Sequence, residues 1–78
     1  MMIENMAVMV RETVSIDGTV NQRVNILGWQ VTIQTSDPEI AVMRAVDKLG
    51  WKAKPVILGG GKTFNDDTCI ILMGGIPA

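Results

Sequence analysis

Gly59-Gly60-Gly61-Lys62-Thr63 is the stretch with the strongest chemical suggestion in this chain. Glycine-rich turns followed by Lys and then Ser or Thr cradle phosphates with their backbone amides. The full phosphate-loop pattern needs another glycine five positions before Gly61, and that position is Val56. It also needs a helix after the Thr, because the helix amino terminus supplies free N–H groups and a favourable dipole. Here Asn65, Asp66 and Asp67 follow, and the residues after them read as a strand. Two carboxylates in that place would repel a phosphate, so a triphosphate site is not expected. Two readings of Gly59, Gly60, Gly61, Lys62 and Thr63 remain. They form a looser anion-binding nest of amides, or they are a mobile loop between two strands. The loop reading carries more weight. It makes residues 59–68 the most mobile part of the chain between residues 6 and 73, unless Phe64 pins the middle.

Other constellations are weaker. Asn65, Asp66 and Asp67 offer oxygens to a hard cation, but the alternate ligands and distal Glu of a calcium loop are missing. Asn and Asp favour turns in any case. Cys69 is the sole cysteine, and the chain has no histidine to act as its base. Zinc sets of Cys and His are excluded for the same reason. Glu4, Glu12 and Glu39 fall on or beside separate elements. No catalytic residue, metal site or cofactor is expected.

Composition narrows the classes further. Seven basic and eight acidic residues give a net charge of −1, which is not the basic footprint of a nucleic-acid binder. Trp29 has no basic cluster or aromatic partner beside it, so packing is the better reading for it than base stacking. Lys52 and Lys54 fit a solvated strand edge. No apolar run reaches the roughly 18 residues of a membrane span. The start carries Glu4 and no basic region, unlike a secretory signal. A free cysteine without a signal suggests the cytoplasm.

The elements follow from periodicity. Residues 6–16 alternate, with Met6, Val8, Val10, Val14 and Ile16 on one face. A two-residue turn at Asp17-Gly18 would set these apolar residues against polar ones. A three-residue loop sets Val14 opposite Val20, Val10 opposite Val24 and Val8 opposite Ile26, and register favours it. Gly18 then takes the left-handed conformation that closes a type I turn with a bulge. The second strand, about 19–35, changes phase at Gly28: Val20, Val24 and Ile26 face one way, and Leu27, Trp29, Val31 and Ile33 the other. Gly28 marks a bend, or the strand is straight and buried on both faces.

Residues 37–49 predict a helix. Ser36 with Glu39 fits a capping box, and Asp37-Pro38 fits an N-cap followed by a first-turn proline. Ile40, Met43, Val46 and Leu49 recur at helical spacing, and Gly50 suits the C′ position. Residues 51–58 read as an edge strand or a bulged one, because Pro55 lacks an N–H. Residues 69–73 read as a short central strand, and the last five residues as irregular. The expected architecture is α+β: a single two-layer domain over residues 1–78, with one helix on a four-stranded, mainly antiparallel sheet in the order β-β-α-β-β.

One such helix shields one sheet face. The other face is expected to carry Met9, Leu27, Trp29, Val31 and Ile33, too much apolar surface for a soluble monomer. With little chemistry on offer, the expectation is a non-enzymatic module that binds protein and self-associates as a homodimer or higher oligomer, with Trp29 central to the interface. A small regulator, an inhibitor and a phage-like structural subunit all fit that description. The alternative is a small-anion or nucleotide binder using residues 59–63.

Overall fold

Apolar alternation over the first segment becomes strand β1 (Met6–Val14) in the computed structural model, which describes residues 1–78. It pairs antiparallel with β2 (Val20–Ile26), with Val10 opposite Val24 and Val14 opposite Val20. The Ser15 N–H donates to the Thr19 carbonyl, and the Gly18 N–H donates to the Ser15 carbonyl. Gly18 sits at φ +89°, so the three-residue loop is the one adopted. Gly18→Val is expected to cost about 1–2 kcal/mol, the strain of placing a side chain in the left-handed region. A lowered urea midpoint with an unchanged m-value would show it.

The phase change in the second segment is a turn, which corrects the single strand over 19–35. β2 ends at Ile26 and β3 (Trp29–Ile33) begins after a two-residue loop. Leu27 and Gly28 both have positive φ, +49° and +79°, as the hairpin turn that matches strand twist requires. Asn or Asp normally occupies the first of these positions, so a leucine there hides the turn. Leu27 is 45% exposed and brings little packing in compensation. Leu27→Asn is therefore expected to stabilise the fold by about 1 kcal/mol, read as a raised melting midpoint.

Asp37 caps helix α1 (Pro38–Lys48), accepting from the Glu39 and Ile40 N–H groups, with Pro38 in the first turn. Ser36 plays no part in this cap. At the other end Gly50 adopts φ +71°. Its N–H reaches the Asp47 carbonyl, and the Trp51 N–H reaches that of Val46, the two bonds of a Schellman cap. The buried stripe is Ala41, Val42, Ala45 and Val46, whereas Ile40 is 44% exposed. The helix is thus rotated from the expected Ile40–Met43–Val46–Leu49 face. Two alanines on the inner side let its backbone approach the sheet closely. Val46 alone of that expected set is fully buried, while Leu49 packs at the core's margin.

After Pro55 the chain forms β4 (Val56–Lys62), and then β5 (Thr68–Met73). The sheet therefore has five strands instead of four, in spatial order β3-β2-β1-β5-β4 and sequence order β-β-β-α-β-β. All neighbours are antiparallel. β5 is central, and β4 is an edge as Pro55 suggested, although it begins only after that proline. The core lies between α1 and one sheet face, built from Val8, Val10, Val24, Ile26, Ile33, Ile70 and Leu72 beneath the helix stripe. Gln22 is also buried there. Its side-chain amide donates to Glu12 at 2.9 Å and to the Thr35 carbonyl at 3.3 Å, tying β1 and β2 to the approach to α1. The last residues are more ordered than expected. Ile76 bridges Ala53, and Ile3 exchanges backbone bonds with Gly74 and Gly75.

Candidate functional site: the glycine edge and the open sheet face

The glycine triplet is a strand, not a loop. Gly59, Gly60 and Gly61 pair with Ile71, Ile70 and Cys69, and Lys62 pairs with Thr68. The connection is only residues 63–67. It repeats the geometry of the first hairpin: the Thr63 N–H donates to the Asp67 carbonyl, the Asp66 N–H to that of Thr63, and Asp66 takes φ +61°. Over Gly59–Lys62 the backbone is extended strand, unlike a nest or a loop, and only Thr63 belongs to the connection. In an extended strand, successive N–H groups point to opposite sides and cannot converge on one anion.

The side chains nearby are also engaged elsewhere. The Lys62 ammonium reaches the Asp66 carbonyl at 3.4 Å, and the Thr63 hydroxyl accepts the Asn65 N–H. An open cleft of about 430 Å³ separates this strand from the helix amino terminus, but Asp37 and Glu39 line it. Their carboxylates disfavour an anion, and Asp37 already takes two of the amides that would greet one.

In Asn65-Asp66-Asp67 the last carboxylate is already engaged. Arg11 donates from Nε to one Asp67 oxygen at 3.0 Å and from its terminal nitrogen to the other at 3.3 Å. This two-point bond holds the Asp67 carboxyl below the usual carboxylate range. Asp17 is lowered too, through the Thr19 N–H at 2.9 Å in the first turn. Both groups contribute to stability above the ordinary aspartate range and lose that contribution as pH falls through their depressed values. No group of three or more His, Cys, Asp or Glu side chains comes together anywhere in the molecule. Cys69 is half-buried on β5, and no helix is long and apolar enough to cross a membrane.

Strand register decides which residues occupy the uncovered face. The pairs Val24 with Val31, Gln22 with Ile33, and Ile26 with Trp29 put all of β3's odd residues on the helix side. Ile33 is core, Val31 packs against it, and Trp29 shares that side while staying 63% exposed. Leu27 is in the turn. Of the five residues expected on the open face, only Met9 is there. The correction has one physical cause: a two-residue turn returns the chain on the same face, whereas a continuous strand would have reversed it.

The face that α1 leaves open is divided in two. Toward β3 it is polar, with Asn21, Arg23, Asn25, Gln30 and Thr32. Toward β4 it is apolar. Met9, Cys69 and Ile71 are half-buried there, and Val56, Leu58 and Met73 are exposed at 64%, 55% and 48%. Leu58 is the extra residue of a bulge between Ile57 and Gly59, and it stands up from the sheet between two hollows. One, of about 380 Å³, is floored by Gly59, Gly61, Cys69 and Ile71. The other, of about 580 Å³, is bordered by Val56, Met73 and the segment 2–5.

No protein-family model, curated protein or solved structure matches this chain. The surface itself must carry the functional argument. Periodicity alone could have located part of it: Cys69, Ile71 and Met73 alternate with Ile70 and Leu72, so one set had to face away from the helix. Leu58 and Val56 were not identifiable as members, because Pro55 signals an edge or bulged strand without fixing where the bulge falls or that it aims Leu58.

Proposed function

We propose that this chain is a non-enzymatic protein-binding module that self-associates through the apolar half of its open sheet face. The observation that supports this is the contiguous set Met9, Val56, Leu58, Ile71 and Met73 on a face that no element of the chain covers. Exposed apolar groups of this kind, rimmed by polar residues, mark interaction surfaces. Here the rim is Asn25, Arg23 and Arg11 on one side. Two-fold pairing of identical faces is the default for such a surface.

A dilution series followed by amide resonances tests the surface. The signals of Met9, Leu58, Ile71 and Met73 are expected to move together as concentration rises. Those of Asn21 and Thr32, on the polar half, are expected to stay still. Movement confined to the hairpin tips, where Ile16 and Phe64 are fully exposed, would overturn the assignment of this face.

A further inference from the structure

The sheet ends in two edge strands, β3 and β4, and they differ in how well they are closed to another chain. Strand edges are commonly blunted by proline, lysine and bulges. β4 has all three: Pro55 directly precedes it, a bulge falls between Ile57 and Gly59, and Lys62 ends it. β3 has none of them, and four of its five residues, Trp29, Val31, Thr32 and Ile33, are of strand-favouring types. The tight turn before β3 decides which of its backbone groups are free. Ile26 and Trp29 flank that turn and bond each other. Bonded and non-bonded pairs alternate from there, so Val31 and Ile33 also bond to β2. Gln30 and Thr32 therefore turn their N–H and C=O groups outward, and no other segment meets them.

A groove of about 410 Å³ runs beside this edge, between β3 and α1, lined by Thr32, Ile33, Gln34, Arg44, Asp47 and Lys48. Its charge is uneven. Asp47 is paired with Lys54 at 3.2 Å, whereas Arg44 and Lys48 are exposed and form no ion pair. Trp29 adds an exposed apolar surface on the same side of the sheet. We infer that the β3 edge takes up an extended, acidic segment of a partner protein as a sixth strand. The outward backbone groups of Gln30 and Thr32 specify a strand, because only an extended chain presents matching N–H and C=O groups to them. Arg44 and Lys48 specify carboxylates on the side of that strand that faces the helix, with apolar residues toward Trp29. The same charge argument favours a partner over a second copy. β3 itself holds no carboxylate, so another β3 would bring nothing to Arg44 and Lys48. β3 is also at the far edge of the sheet from Val56, Leu58 and Met73, so it stays open when the chain self-associates. The inference rests on the protein-binding part of the function proposed above and names the class of partner.

A short capped peptide of alternating Val and Glu is the probe. As it is added, the Gln30 and Thr32 amides are expected to shift and to exchange more slowly, while those of Gly59 to Lys62 on the other edge stay unchanged. The same peptide with alternate backbone nitrogens methylated, and a peptide of alternating Val and Lys, are each expected to bind about tenfold more weakly or worse. Thr32→Pro removes an outward N–H that the fold does not use, and proline is tolerated at such edge positions, so the variant folds. Its binding of the Val–Glu peptide is expected to fall by about tenfold, for one lost hydrogen bond and a ring in the path of the incoming strand. Should Thr32→Pro unfold, Arg44→Glu combined with Lys48→Glu alters only exposed helix residues and is expected to reverse the preference toward the Val–Lys peptide. No change at Gln30 and Thr32 with millimolar Val–Glu peptide would overturn the inference. So would equal binding of the methylated peptide, which needs no strand pairing, or of the Val–Lys peptide, which needs no acidic partner. Protection of Gln30 and Thr32 that rises with protein concentration in the absence of peptide would assign the edge to a second copy and overturn it as well. Self-association through the apolar half of the open face is read separately, by the dilution series, and stands if only the peptide fails.

Discussion

Gly75→Ala is expected to lower folding stability by about 3 kcal/mol, combining left-handed backbone strain with overpacking. Gly75 has φ +81°, and a Cβ there would lie 2.9 Å from the Pro55 nitrogen and 3.0 Å from its Cα. Those are backbone and ring atoms, which cannot swing aside as a long side chain would. Pro55 is buried against this site, and the Ile76–Ala53 bridge clamps the chain on either side of it. The contact therefore fixes how the segment after α1 enters β4. For a chain this small a loss of about 3 kcal/mol is a large part of total stability. Gly74 provides the control, because its φ is also positive, +74°, yet a Cβ there meets nothing within 4 Å. Gly74→Ala should show only the backbone part, about 1–2 kcal/mol. Equal urea midpoints for the two variants would mean that the Pro55 contact constrains nothing.

Leu58→Asp is expected to abolish self-association while leaving the fold intact. Leu58 is 55% exposed on an edge strand, so the isolated chain gives up little packing when it is replaced. In a two-fold interface the residue counts twice. A central contact is worth about 2 kcal/mol or more, so two of them weaken association by about a thousandfold. The carboxylate adds a desolvation penalty on the apolar face. Trp29→Asp is the informative contrast. Tryptophan is the residue most enriched at interface centres, and composition alone nominates Trp29 for that position. Register instead puts it on the helix side, away from Leu58, so Trp29→Asp is expected to leave the assembly unchanged. Size-exclusion chromatography with light scattering on both variants separates the two surfaces.

Much of the fold was legible where pattern and local chemistry agree. The first hairpin register followed from keeping apolar residues on one face, and Asp37, Pro38 and Gly50 bounded the helix within a residue. What escaped notice was set by geometry that composition does not carry. Leu27-Gly28 makes a tight turn with a leucine in the position that Asn usually signals, so two strands read as one. That single turn reversed the assignment of Trp29, Val31 and Ile33 and moved the expected interface. The glycine triplet misled for the opposite reason. Glycine usually marks a loop, but here Gly60 is imposed by the Cys69 backbone carbonyl, 2.7 Å from where a Cβ would lie, and the whole triplet runs as an edge strand. The helix face was misjudged because large apolar residues were weighted above Ala41 and Ala45, whose small size lets the helix settle on the sheet. For the site, Met9 and the alternation of β5 were readable. Pro55 suggested an edge or bulged strand, but the place of the bulge, which raises Leu58 beside the hollow over Gly59 and Gly61, was not readable, since it depends on how β4 meets β5.

Sedimentation equilibrium of the wild-type chain, from about 1 to 100 μM, tests the central claim most directly, since that range brackets micromolar dissociation constants. The expected result is a monomer–dimer equilibrium that approaches twice the 8.5 kDa chain mass at the upper end. A single species at the monomer mass across the whole range would contradict it.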